Sequence, residues 1–129
     1  MKLTVQHVDG LRFLVTAGKH AVVMDAPSEE GGTDTAMSSP QLFAAAVAAC
    51  ALSFVANSCR LHGLPLEHLS LEMDYEESPR PRRLSRMDIR IHIEPEVDAQ
   101  RRRALLSVAS HSTVANTLAR PPEIHITLE

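Results

Sequence analysis

The chain has no tryptophan, one tyrosine and three phenylalanines in 129 residues. So few rings leave small and aliphatic side chains to build the core, and the alanine-heavy centre of the chain points to helix backbones in close approach. Cysteine is nearly as scarce, with Cys50 and Cys59 as the pair. Two thiols without a secretory leader argue against a structural disulfide framework and leave reactive thiol, metal ligand or buried hydrophobe as roles. The opening MKLTVQHVDG has no apolar stretch after its lysine. The longest uninterrupted apolar run, residues 42–52, falls well short of the roughly 20 that span a bilayer. A soluble cytoplasmic protein with no membrane partner is therefore expected. Charge of one sign is also missing. A net charge of −3, with acids and bases mixed along the chain, gives no basic footprint for nucleic acid and no acidic tail. Seven histidines form no HxxxH, HExxH or Cys-x-x-Cys spacing, and His92 and His125 fall on outward phases, so neither metal nor cofactor is expected. Repeats and low-complexity segments are absent. A chain of this length fits one domain, residues 1–129, with a modest core.

What is present is alternation, then an apolar block, then alternation again. KLTVQHV alternates, LRFLV follows the turn signal Asp9-Gly10, and HAVVMD follows Gly18, which predicts a three-stranded antiparallel meander. Residues 26–39, rich in Gly, Ser, Thr and acid, carry no period and form a loop long enough to suspect function or mobility. Ser39 as N-cap, Pro40 at the first helical position and Gly63 as the stop then frame a helix of about two dozen residues. Residues 42–56 are apolar almost all round, the mark of a helix covered on every side. One small sheet can hardly surround it, so a second copy of the chain is expected to help.

After HGLP, Leu69, Leu71, Met73 and Tyr75 mark one strand face, and Met87, Ile89, Ile91 and Ile93 mark another. EESPRPRRLSR joins them. Arg80, Arg82, Arg83 and Arg86 invite a phosphate-binding guess, but Pro79 and Pro81 in a hairpin context make a solvated turn the better reading, and no nucleic-acid partner is expected. A second helix begins near Val97 or Asp98, with Ala104, Leu105, Val108 and Ala109 inside and residues 101–103 outside. It continues or restarts through HSTVANTLA, with Ser110 or Ser112 as a cap, before Pro121. EIHITLE alternates Ile124, Ile126 and Leu128 and predicts a last strand. The order β-β-β-α-β-β-α-β is an α+β fold.

On one straight helix, nine residues separate Cys50 and Cys59 by about 13 Å along the axis, on nearly opposite faces. A disulfide needs Cα atoms within roughly 7 Å, so an intrachain bridge is excluded. A reactive Cys50 needs a stabilised thiolate. It lies about three turns from the helix start, too far for the dipole to help, so arginine, histidine or polar donors from another segment or subunit must act. On composition alone Cys50 is a small buried hydrophobe, and Cys59, near Arg60 and His62, is a helix-end packing residue.

The stretches VDGLRFLV, HAVVMDAPSEEGGTDTAMSSPQLFAAAVAAC and HSTVANTL, taken in order and spacing, resemble the OsmC/Ohr family of osmotically inducible and organic-hydroperoxide-resistance proteins. The likeness runs from about Val8 to the C-terminus. It implies an intertwined homodimer whose long cysteine helix lies in the middle, wrapped by sheets of both chains. It also implies reduction of organic hydroperoxides at the subunit interface by a peroxidatic and a resolving cysteine. Cys50 matches the peroxidatic position. Ser112 stands where the resolving cysteine is matched, and a hydroxyl cannot form a disulfide. Pro40-Gln41 occupies the neighbourhood of a glutamate that holds an active-site arginine, and Arg12 fits that arginine's place loosely.

The resemblance thus implies a one-cysteine peroxidase in which Cys50 reacts and an external thiol reduces it. Ser112 is its polar neighbour, and Arg12 and His111 are further site candidates. The alternative is an inactive OsmC-fold protein that holds a small apolar ligand at the dimer interface with Cys50 packed.

Overall fold

The computed structural model describes residues 1–129. They form two compact units, Met1–Ala45 and Ala46–Glu129.

The first unit is the expected meander. β1 (Leu3–Asp9), β2 (Arg12–Ala17) and β3 (His20–Met24) pair antiparallel in that order, in register Val5 to Val15 and Val15 to Val22. Its long loop is fastened and not merely open. Asp25, 1% exposed, accepts hydrogen bonds from the Thr33 and Thr35 hydroxyls, from both their backbone N–H groups, and from the Ala26 N–H. A 3-10 turn, Ser28–Glu30, and the bonds Gly32 N to Pro27 O and Asp34 N to Ala26 O complete the knot. Gly32 is required for it, because a Cβ there would stand 2.0 Å from the Ala26 carbonyl oxygen.

α1 spans Ser39–Leu61 and begins one residue earlier than the sequence suggested. Ser38 is the cap: its Oγ accepts from the Gln41 N–H at 3.3 Å, and the Gln41 side-chain oxygen accepts from the Ser38 N–H at 2.8 Å. This reciprocal Ser-x-x-Gln box satisfies two otherwise unpaired donors. Pro40 is tolerated one position further in because first-turn N–H groups have no intrahelical partner. At the other end Gly63, at φ +69°, closes a Schellman turn with Leu64 N to Cys59 O at 2.9 Å and Gly63 N to Arg60 O at 3.4 Å.

The all-round cover expected for α1 is not supplied by one chain. Ala44, Ala51, Val55 and Cys59 form a buried stripe, whereas Phe43, Phe54 and Leu61 on the other side are exposed by 44%, 39% and 65%. By length and composition, with a mean hydropathy of 1.9, α1 is long and apolar enough to cross a membrane. The run 42–52 underestimates it because Ser53, Asn57 and Ser58 interrupt the apolar letters without breaking the helix. Val55 and Cys59 of its buried stripe pack in the core with Leu105.

In the second unit β4 (Ser70–Ser78) and β5 (Arg83–His92) form an antiparallel hairpin, with Leu71 opposite Ile91, Met73 opposite Ile89 and Tyr75 opposite Met87. The turn arginines are engaged locally: Arg82 pairs with Glu77 at 2.7 Å, Arg83 donates to the Pro81 carbonyl, and Arg86 pairs with Asp88. α2 (Ala99–Ser110) is capped by Asp98, which accepts from the Arg101 N–H. The chain then restarts as α3 (Thr113–Ala119), capped by Ser112. The core joins Val55 and Cys59 of α1 to Leu105 of α2, with Ile91, Ile93 and Val108 packed against them.

The last segment corrects an expectation. Residues 121–129 form no strand within the chain, and Ile124, Ile126 and Leu128 are 76%, 90% and 100% exposed. Alternation prepares one face of a strand, but a strand also needs a neighbour, and no edge of the same chain pairs with it. In all, the chain exposes 9890 Å², about half as much again as the roughly 6,700 Å² expected for a folded monomer of its mass.

Candidate functional site

The two thiols are both free and differ sharply in access. Cys59 is 0% exposed between Val55 and Leu105. Burial pushes its thiol up from the ordinary value, against a smaller opposing pull from Arg101. It is the packing residue the sequence suggested. Cys50, half a turn away in angular phase, is partly exposed. The chain itself brings no hydrogen bond or ion pair to its sulfur.

Cys50 lies on α1 about 60° round the helix from Val47 and about 100° from Ala51, outside the sector that the two span. Those two side chains form one wall of a cavity of about 250 Å³. Ile89 and Ile91 of β5 form its floor. Leu106, Ala109 and Ser110 of α2, Ser112, and Ala115 of α3 form the rest. The lining is mainly apolar, as the alanines and branched residues on the three elements require. Ser112 is thus brought to the α1 wall formed by Val47 and Ala51, by the break between α2 and α3 that it caps, while Cys50 is not among the lining residues. The hydroxyl of Ser112, a residue 1% exposed, accepts from the Ala115 N–H at 3.2 Å.

His111 does not join that lining. It is exposed at the end of α2, and its Nδ1 donates to the Ser107 carbonyl at 2.7 Å. Arg12 belongs to the first unit, where its guanidinium makes a two-pronged pair with Asp9: Nε to Oδ1 at 2.7 Å and a terminal nitrogen to Oδ2 at 2.8 Å. The pair holds the Asp9 carboxyl below its usual range. Gln41 serves the α1 cap, so its side chain is committed to backbone. The sequence reading missed this role, although the Ser-x-x-Gln spacing signals it. It missed Asp25 as well, whose partners lie eight and ten residues away with no periodic mark. No group of three or more His, Cys, Asp or Glu side chains is placed to hold a metal.

Comparison with known proteins agrees with this fold. The family model described as OsmC-like protein matches residues 32–127, which include α1, Cys50 and Ser112. Among solved structures, a Psychrobacter arcticus protein named for osmotic stress induction and detoxification response superposes with a TM-score of 0.84 at 23% identity, covering 91% of this chain and 87% of that one. The organic hydroperoxide resistance protein OsmC of Legionella pneumophila gives 0.64 at 22% identity, with 91% and 87% covered. A Vibrio cholerae organic hydroperoxide resistance protein, solved with captopril bound in one of its active sites, gives 0.62 at 21%, with 94% and 85% covered. No curated protein matches the chain. The α+β order, the capped central helix with its partly exposed Cys50 and the family match over most of the chain lead to one conclusion: this protein belongs to the OsmC-like family.

Proposed function

We propose that the protein reduces organic hydroperoxides through Cys50 alone, with an external thiol as reductant, as a single OsmC-like domain in a cytoplasmic homodimer. The observation that carries the reading is the contrast between the thiols: Cys50 is partly exposed on the helix whose Val47 and Ala51 wall the Ser112 cavity, and Cys59 is sealed in the core. In the reaction the Cys50 thiolate attacks a peroxide oxygen and the O–O bond breaks. The alkoxide leaves and takes a proton to become the alcohol, and the sulfur is left as a sulfenic acid. Ser112 cannot condense with it. A first external thiol therefore displaces water to give a mixed disulfide, and a second releases Cys50 and carries away the external disulfide.

Three exposures support the second copy: the apolar side of α1, the unpaired residues 121–129, and a total surface about half as large again as a monomer's. Summed over two chains the excess is about 6,000 Å², at the upper end of what obligate dimers bury in total, roughly 2,000–5,000 Å² or more. The partner chain is the proposed source of groups that activate Cys50, and Arg12, held by Asp9, is the guanidinium that the resemblance offers for that task.

The test is consumption of cumene or tert-butyl hydroperoxide with a dithiol reductant, wild type against Cys50→Ser. Turnover lost in the variant supports the reading. Equal rates overturn it and leave the alternative, a fold that holds a small apolar ligand with Cys50 as packing.

A further inference from the structure

The two lysines of the chain, Lys2 and Lys19, stand at one end of the three-stranded sheet. Lys2 precedes β1 and Lys19 lies in the turn between β2 and β3. The pairings Leu3 to Ala17 and Ala17 to His20 bring both to that end. The acids of the unit lie at or beyond the other end: Asp9 closes β1, Asp25 follows β3, and Glu29, Glu30 and Asp34 sit in the loop after it. Neither lysine has a carboxylate partner in the chain, whereas Arg12, Arg82, Arg86 and Arg90 each have one.

A cavity of about 800 Å³ opens at the same end, lined by Met1, Lys2, Thr4, Thr16, Ala17 and Gly18. Lys2 and Thr4 share one face of β1, because side chains alternate along a strand. Thr16 is the cross-strand partner of Thr4, and their hydroxyls hydrogen-bond at 2.8 Å. One of the two donates to the other, which leaves one hydroxyl proton for a ligand. Gly18, at φ +62°, keeps the turn free of a side chain, with nothing within 4 Å of where a Cβ would stand. Lys19 is the next residue.

Two ammonium groups, a spare hydroxyl donor and no acid nearby are complementary to a dianion rich in acceptors. A phosphate monoester is such a dianion at neutral pH, since its second pKa is about 6. An ammonium acts on it as a point charge with three donors, whereas a planar carboxylate is better matched by the arginine fork. The cavity is also far larger than a bare phosphate and falls within the roughly 300–1,000 Å³ of small-molecule sites. We propose that this end of the sheet binds a phosphate monoester of a small polar molecule, with the phosphate between Lys2 and Lys19 and the threonine pair donating to it. The site goes beyond the thiol chemistry: it lies in the first unit, whereas Cys50 lies in the second, and it requires neither thiol nor peroxide.

Calorimetric titration of the full protein in phosphate-free buffer tests it, with glucose 6-phosphate as probe, glucose as the uncharged body and inorganic phosphate as the bare anion. Saturable binding of glucose 6-phosphate, weaker binding of inorganic phosphate and no binding of glucose are expected. Lys2→Gln and Lys19→Gln each weaken the ester about tenfold, the loss of one charge-assisted contact. Arg103→Gln leaves its affinity unchanged, and all three variants melt with the wild type. Glucose or inorganic phosphate binding as tightly as the ester, or affinity indifferent to both lysine changes, overturns the proposal. So does the absence of saturable binding, the result if the lysines only keep the sheet edge from pairing.

Discussion

Cys50 and Cys59 share one unbroken helix and face opposite ways, the second without any exposed surface and the first partly open. One helix therefore carries a thiol sealed in the core and a thiol that solvent reaches. In the native protein a chromogenic disulfide reagent is expected to titrate one thiol per chain, and the second only on unfolding. Cys50→Ser removes the native signal. Cys59→Ser keeps it but places a hydroxyl with no partner in the core, at a cost of about 1–3 kcal/mol in denaturant unfolding. Two thiols reacting together in the folded protein would contradict this arrangement.

Ser112 holds the start of α3 and lines the cavity walled by Val47 and Ala51 of α1. Ser112→Ala is expected to lose about 1 kcal/mol, the ordinary value of such a cap. Ser112→Cys returns a thiol to the position from which the resemblance implies one is missing. After a single equivalent of hydroperoxide, intact-mass and peptide analysis should find a disulfide between Cys50 and the introduced thiol within one chain. A variant that keeps both thiols free after oxidation would separate the cavity wall from the site.

Asp25 ties the loop after β3 by hydrogen bonds from Thr33, Thr35 and Ala26. The Thr33 hydroxyl, with the Thr35 and Ala26 donors, holds its carboxyl well below the usual carboxylate range, against the opposing effect of burial. A depressed folded value means the contribution to stability is complete above the unfolded value of about 3.9 and fades as pH falls below it. Asp25→Asn should lower the melting temperature at pH 7, and the gap to wild type should narrow below about pH 4. A gap independent of pH would show that the charge is not what holds the loop.

Gly32 admits no side chain, because a Cβ would meet backbone and not a movable side chain. Gly32→Ala is expected to cost about 3 kcal/mol, at the upper end of ordinary substitutions. Limited proteolysis should cut within residues 26–38 faster than in wild type. Unchanged cleavage would mean that the knot around Asp25 yields cheaply.

Local signals made most of the fold legible in the sequence. Asp9-Gly10 and Gly18 marked the hairpins, Gly63 marked the helix stop, and Ser112 marked a cap, because each acts on backbone within four residues. The start of α1 was misplaced by one residue, since Ser38 and Ser39 are equal as caps and only Gln41 distinguishes them. The Asp25 knot was not legible: its donors lie outside any period, and Asp25 itself reads as the end of an alternating strand. Nor was the state of residues 121–129, because alternation specifies a face and not the neighbour it pairs with. The Ser112 cavity was not legible either, because it needs β5 and α2 brought side by side.

The central claim is that Cys50 reacts alone and keeps its oxygen until an outside thiol removes it. Trapping with dimedone after one equivalent of cumene hydroperoxide, without reductant and followed by peptide mass spectrometry, tests it most directly. The account predicts a sulfenic acid adduct on Cys50 and an unmodified Cys59. Modification of Cys59 with Cys50 untouched, or no adduct on either thiol while hydroperoxide is consumed, would contradict it.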